Sequence, residues 1–160
     1  MALSPSVTIR AARPAEVPDV HTVLAAAFSP YRQHYTSDAY RLTVVSPDVI
    51  AARITAPGST VFVAVDTGDM VGTATIQDED ATLYIQSMAV HPDHQGRGIG
   101  RHLLAHIQRH ACSKHCSALR LECSAPLTRA LRLYTAFGFK LTGRERDYGG
   151  ITVFELKKQL

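Results

Sequence analysis

Gln95-Gly96-Arg97-Gly98-Ile99-Gly100 lies between an apolar run with strand alternation and a run with helical spacing. Three glycines at alternate positions let backbone amides converge at a helix N-terminus without Cβ obstruction, where the helix dipole favours negative charge. With Arg97 and Arg101 beside them, the natural guest is a phosphate-bearing ligand. Two common phosphate loops are excluded by spacing. In G-x-G-x-x-G counted from Gly96 the third glycine would fall at Arg101, and no Gly-Lys-Ser/Thr triplet ends a P-loop anywhere in the chain. What is left is Q-x-x-G-x-G on a strand–turn–helix junction.

Other reactive residues are less informative. Cys112, Cys116 and Cys123 are an odd, clustered set that reads as reduced thiols rather than a secreted disulfide framework. Cys123 has no evident histidine partner and reads as a buried structural thiol. His102, His106 and His110 repeat every four residues, with Cys112, His115 and Cys116 after them, a spacing that invites zinc. Their helix face is opposite Leu103 and Ile107, so the expectation is a polar, solvated face and no metal. His91 and His94 read as loop residues.

The elements that must position the loop follow from periodicity. Val7-Thr8-Ile9-Arg10 alternates as a strand. Pro14-Ala15-Glu16 opens a helix on which Val17, Val20, Val23, Leu24 and Ala27 share one side, ending near Phe28-Ser29-Pro30. Residues 31–40 are polar and aromatic without a firm period, and a second helix covers residues 47–56 before Pro57-Gly58. Residues 60–65 and 70–76 form a hairpin about Thr67-Gly68-Asp69. After Asp78-Glu79-Asp80, residues 81–90 are a strand with Leu83, Ile85, Ser87 and Ala89 on one face and Tyr84, Gln86, Met88 and Val90 on the other. The helix after the glycines spans about residues 98–111, its apolar side carrying Ile99, Leu103, Leu104 and Ile107. Residues 118–124 are a strand. Pro126 takes the first position of a helix with Leu127, Ala130, Leu131, Tyr134 and Phe137 along one side, and Gly138 ends it. Strands at residues 139–146 and 151–156 flank Tyr148-Gly149-Gly150.

The order β-α-α-β-β-β-α-β-α-β-β, without repeat or linker, predicts one α/β (α+β) domain over residues 1–160. Its central sheet is mixed and mostly antiparallel, flanked by helices, with 81–90 and 118–124 as the parallel pair. The glycine loop then sits at the C-terminal end of the first strand of that pair, where open α/β sheets bind ligands. At 160 residues and 46% apolar composition the chain can bury a proper core. No run reaches the ~18 apolar residues needed to span a bilayer, and Met1-Ala2-Leu3-Ser4-Pro5 has no leader character, so the expectation is a cytoplasmic protein without a membrane partner. A net charge of +3, with arginines concentrated in the second half, suits an anionic ligand. A dense basic stripe with exposed aromatics is lacking, so no nucleic-acid partner is expected.

Two separated motifs, with their spacing and the element order, resemble the GNAT superfamily of acetyl-CoA-dependent N-acetyltransferases over nearly the whole chain. Met88-Ala89-Val90-His91-Pro92 followed by Gln95-Gly96-Arg97-Gly98-Ile99-Gly100 is similar to the family's acetyl-CoA motif. Leu133-Tyr134-Thr135-Ala136-Phe137-Gly138-Phe139 is similar to its L-Y-x-x-x-G-F motif. The resemblance implies that amides of Gly96, Arg97, Gly98, Ile99, Gly100 and Arg101 hold the pyrophosphate of coenzyme A, with Gln95 shaping the loop. It implies that the strand edge at Met88, Ala89 and Val90 pairs with the pantetheine arm, where two parallel strands splay and leave a backbone amide to polarise the thioester carbonyl. Arg129 and Arg132 either reach coenzyme A phosphates or solvate their helix.

For chemistry, the resemblance implies direct acetyl transfer to a primary amine of a small molecule or peptide in a ternary complex, with no covalent enzyme intermediate. Tyr134 stands where the family protonates the departing thiolate. Alkyl amines with pKa near ~10.4 are mostly protonated at neutral pH, so a base or water must take a proton. Glu122 resembles the glutamate of the branch that acetylates ribosomal proteins and peptide N-termini, although its strand alternation also fits a solvent-facing side chain. Tyr84 and Gln86 stand where other branches carry an acid and would act through hydrogen bonds or ordered water. Leu127 replaces an asparagine that many members carry seven residues before the tyrosine. The acceptor pocket implied by the family draws on the first helices, their loop and the final hairpin, which makes Phe28, Tyr31, Tyr35, Tyr40 and Tyr148 its walls. Such a lining suits a peptide N-terminus, an aryl amine or a polyamine. A non-catalytic acetyl-CoA-binding module is the alternative reading, and a homodimer through the sheet or helical faces is compatible with the sequence.

Overall fold

In the computed structural model of the protein, residues 6–160 are described; Met1–Pro5, read above for a leader, lie outside the described residues. β1 (Val7–Ala11) pairs antiparallel with β2 (Ser59–Asp66), β2 with β3 (Asp69–Glu79), and β3 with β4 (Thr82–Val90). β5 (Ala118–Ser124), β6 (Lys140–Tyr148) and β7 (Ile151–Gln159) complete a seven-stranded sheet of order β1-β2-β3-β4-β5-β7-β6. Only β4 and β5 run parallel. The mixed, mostly antiparallel sheet expected from the sequence is therefore present.

Two apolar clusters sandwich this sheet. On one face α4 (Ile99–Ser113) buries Ile99, Leu103, Leu104, Ile107 and Ala111 against Leu83, Ile85, Leu119 and Leu121, with Tyr134 of α5 (Thr128–Phe137) beside them. Each large aliphatic side chain so enclosed is worth about 1.5–3 kcal/mol relative to exposure. On the other face α1 (Val17–Phe28) and α3 (Pro47–Thr55) bury Val20, Val23, Leu24 and Ile50 against Val61, Val63 and Ala89. No helix among the described residues is long and apolar enough to cross a membrane.

Four local features differ from the sequence expectations. Residues 31–40, without a period, contain a 3-10 turn (Ser29–His34) and the start of α2 (Ser37–Thr43), whose cap Thr36 accepts a hydrogen bond from the Ala39 amide at 3.0 Å. Pro126 does not open α5. It sits in the turn before it, and Leu127, which cannot accept a hydrogen bond from an amide, is the cap residue.

The third difference concerns the histidine face. His106 and His110 are half-buried, edge-on to Phe62 with ring centroids 4.9 and 5.6 Å away. Burial lowers both imidazole pKa values, so these rings pack as neutral aromatics rather than forming the solvated face expected. The fourth lies in β4. Ser87 has a positive φ of 50°, and while β3 advances from Thr73 to Thr75, β4 advances from Ala89 to Gln86. The extra residue is a β-bulge, and it exchanges the two faces of the strand. Leu83 and Ile85 enter the α4 cluster, but Ala89 enters the α1 cluster, and Met88 and Val90 turn toward α4. The uninterrupted alternation that put Ala89 with Leu83 and Ile85 is thereby broken.

Candidate active site

The bulge begins where β4 and β5 part. Their parallel pairing runs from Thr82↔Ala118 to Ile85↔Leu121 and stops, while β4 continues to Val90 and β5 to Ser124. The facing edges beyond the stop are unpaired with each other. A cavity of about 500 Å³ opens through this gap, connecting the glycine loop at one end to an aromatic and charged cluster at the other.

The glycine-loop end, called below the donor end for the role proposed for it, is mostly backbone. Gly98, with φ 82°, is the left-handed cap residue of α4 and offers no side chain to the helix start. The amides of Ile99, Gly100 and Arg101 are thus left without an intrahelical or side-chain acceptor, since the first bond of the ladder runs from His102 to the Gly98 carbonyl. Gly100 is required for packing as well: a Cβ there would fall 2.8 Å from Leu133 Cδ2. Gln95 ties the loop down. Its Nε2 donates to the Val90 carbonyl at 3.1 Å, and its Oε1 accepts from Arg129 Nη1 at 3.0 Å. Met88, Ala89, Val90, Gln95 and the loop from Gly96 to Arg101 line the cavity with one exception. Arg97 turns away, donating to Asp66 Oδ2 at 3.0 Å and meeting His94 Nδ1 at 2.7 Å. Of the two arginines of α5, Arg129 lines the cavity and Arg132 does not.

Tyr134 stands at the junction, buried to 8% exposure and lining the cavity. Its hydroxyl has no protein hydrogen-bond partner among the described residues, and desolvation pushes its pKa well above the ordinary phenol range. A phenol so placed is protonated throughout the physiological range and its proton is free for a ligand. Cys123 is buried beside it, its thiol pushed up to about 11 by burial, as expected of an inert structural cysteine.

The opposite end, called below the acceptor end for the role proposed for it, is made of side chains. Glu122 is neither solvent-facing nor free: Tyr84 donates to its Oε1 at 2.9 Å, while Arg146 donates to Oε1 at 2.8 Å and to Oε2 at 2.7 Å. The Arg146 fork is the main reason its carboxyl pKa is lowered, and such a group is a weak proton acceptor. Burial and the adjacent carboxylate push Tyr84 up to about 12. Tyr35 is bonded to Ser124 Oγ at 2.9 Å, and Tyr148 donates to the Leu42 carbonyl at 2.7 Å. Phe28, Tyr31, Tyr35, Tyr84, Gln86 and Tyr148 all line the cavity; Tyr40 does not, packing instead under Arg32 and edge-on to Tyr35. The final hairpin is held to α2 by Thr36, whose hydroxyl donates to the Gly149 carbonyl. Gly149 itself lies so near that a Cβ would fall 2.6 Å from the Ala39 nitrogen.

The Acetyltransferase (GNAT) family model matches residues 18–139, most of the chain, including the glycine loop and Tyr134 but not the final hairpin with Arg146 and Tyr148. The chain belongs to the GNAT acetyltransferase family. Among curated relatives of this GNAT chain, N-acetylaspartate synthetase from Danio rerio is 31% identical over 103 residues, 63% of the chain and 36% of the relative. The [ribosomal protein bS18]-alanine N-acetyltransferase from Escherichia coli (strain K12) is 36% identical over 70 residues, 44% of the chain and 46% of the relative. The chain thus covers less than half the length of either. In fold, this GNAT protein is similar to the PaiA N-acetyltransferase from Thermoplasma acidophilum in complex with coenzyme A, with a TM-score of 0.83 at 16% identity, covering 97% of this chain and 99% of that one.

Three cavity residues carried no signal in the sequence. Arg53 is one of several arginines until α3 turns it inward, Ser87 lacks the glycine that usually marks a positive φ, and Arg146 is distant in sequence from the carboxylate it grips.

Proposed function

We propose that this protein is an acetyl-CoA-dependent N-acetyltransferase acting on a primary amine of a small molecule or peptide by direct transfer. The observation that carries this reading is the meeting, in one cavity, of uncapped α4 amides, an unpaired β4 edge and an unpartnered, protonated Tyr134. The donor end fits coenzyme A: positive-φ Gly96 and Gly98 bring amides rather than side chains to the surface, and Arg129 adds a cation beside them. When bound, acetyl-CoA supplies an acetyl group on a thiol leaving group, so that a new N–C bond replaces the C–S bond.

The chain's residues divide the remaining work. Amides of Gly96 to Arg101 hold the pyrophosphate, and the β4 edge at Met88 to Val90 takes the pantetheine arm as an added strand, leaving a backbone amide for the carbonyl oxygen. Tyr134 gives its proton to the sulfur and recovers one from solvent. The acceptor ammonium loses one proton to solvent water before attack, and the adduct loses a second to water as the C–S bond breaks; Glu122, held by Arg146 and Tyr84, orients the amine by accepting a hydrogen bond from it. The chemistry is acid–base and positional, with no nucleophilic role for Cys123. A reducing, cytoplasmic setting suits the three free cysteines.

Thiol release from acetyl-CoA over a panel of amines and peptides, together with calorimetry of coenzyme A, tests the reading. Coenzyme A binding with amine-dependent thiol release is expected. Absence of coenzyme A binding would defeat it.

A further inference from the structure

Arg53, in the last turn of α3, is a cavity charge that acetyl transfer leaves unexplained. Its Nη1 donates to Ser87 Oγ at 2.7 Å, and its Nη2 reaches Gln86 Oε1 at 3.4 Å, both neutral partners. A guanidinium has five N–H donors, so capacity is left over. Among the described residues, every other arginine is either paired with a carboxylate or exposed; Arg53 is neither. The groups felt from neighbouring elements are the Tyr84 and Tyr148 phenols, and burial lowers the guanidinium pKa.

A charge partly withdrawn from water is costly without a counter-ion. An arginine that served only its own helix would donate to the last carbonyls of α3, whereas this one reaches across to β4. Local charge points the same way. Arg146 neutralises Glu122, so Arg53 leaves the acceptor end one positive charge in excess. That balance opposes a polyamine and favours an acceptor that brings a carboxylate.

We infer that Arg53 binds the carboxylate of the acceptor, and that the acceptor is a free amino acid whose amine enters the gap between β4 and β5. The inference rests on the acetyl-transfer reading. Gln86 and Ser87 directly follow Ile85, the last β4 residue paired with β5. A carboxylate on Arg53 therefore lies beside the start of the gap. This suits an amine one carbon from its carboxylate, and not a peptide N-terminus, where an amide replaces that carboxylate. Phe28, Tyr31 and Tyr35 offer walls for an apolar side chain. Gln86 and Ser87 act as positioning residues for the guanidinium.

Turnover of acetyl-CoA with L-phenylalanine and L-leucine is to be compared with their carboxamides and with dipeptides beginning in the same residues. The free acids should exceed the amides by about 30-fold or more in kcat/KM, chiefly through KM, because a desolvated arginine rejects a neutral isostere. Arg53→Gln should collapse the acid-to-amide ratio to near unity, and Arg53→Lys should keep part of it, with folding checked by circular dichroism and coenzyme A calorimetry. Equal use of acid and amide by the natural protein, or a ratio that survives Arg53→Gln, overturns the inference. Calorimetric titration of the coenzyme A-loaded protein with the two amino acids separates the readings. Arg53-dependent binding with no thiol release from any amine or peptide of the panel removes acetyl transfer and keeps the carboxylate site. Turnover of amides and peptides without preference keeps transfer and removes the site. Neither binding nor turnover of the two amino acids overturns the carboxylate site, and the transfer reading falls with it only if no amine or peptide of the panel releases thiol.

Discussion

The two ends of the cavity are built from different materials. The donor end is main chain: consecutive amides at the start of α4, held by Gln95 between β4 and α5. The acceptor end is side chains, drawn from α1, α3, β4, β5 and the β6–β7 hairpin. A main-chain site depends on local conformation, so a few glycines in sequence define it. A side-chain site depends on which distant elements meet, and each can change without disturbing the amides. The difference predicts that one end can be damaged while the other keeps working.

The largest effect should come from the junction. Tyr134→Phe removes only the donor hydroxyl, so kcat should fall by about 100- to 10,000-fold while coenzyme A affinity and acceptor KM stay within about twofold. Stopped assays with calorimetry decide it; an unchanged kcat would remove the proton-donor role. Next is the acceptor end. Gly149→Ala drives a Cβ into the α2 backbone at a φ of 60°, and overpacking of this kind costs about 1–3 kcal/mol. Acceptor KM should rise by about 30-fold with coenzyme A affinity intact. A parallel loss of coenzyme A binding would show that the ends are not separable.

Gly98→Ala reverses the experiment. Left-handed backbone costs a non-glycine residue about 1–2 kcal/mol, so coenzyme A affinity should weaken about tenfold with acceptor KM little changed. The smallest change is expected of Glu122→Gln, about three- to fivefold in kcat/KM. Because Arg146 lowers the Glu122 carboxyl, the rising limb of kcat/KM with pH is expected to belong to the amine and to persist in this variant; its disappearance would make Glu122 the base. Stability gives an independent check. Arg146 holds the Glu122 carboxyl below its ordinary range, so the folded state binds fewer protons than the unfolded. The pair's contribution is complete above the unfolded carboxyl pKa of about 4.3 and is lost as pH falls through the lower folded value. Thermal melts between about pH 5 and 3 should therefore fall more steeply for the natural protein than for Glu122→Gln.

What could be read from the sequence follows the same division. The glycine loop and the apolar stripe of α4 were legible because each is a local turn or period, and the parallel pair because one helix crosses between its two strands. The place of Tyr134 on the cavity wall was legible through its motif. Arg53, Ser87 and the Glu122–Arg146 fork were not, since no local pattern tells which arginine turns inward, or that a serine takes a φ of 50°. The histidine stripe on α4 misled for a related reason. Four-residue spacing fixes which side the imidazoles share, but only tertiary packing put Phe62 against that side.

The extra residue at Ser87 resembles an edge dislocation in a crystal: one inserted unit, local in origin, that shifts everything beyond it by half a repeat. Deleting Ser87 would heal the lattice, letting Ile85 and the residues after it keep one continuous frame beside β5. The healed sheet would be more regular, and Ala89 would return to the face that Leu83 and Ile85 share. One residue, Ser87, thus sets which β4 side chains meet α1 and which meet α4.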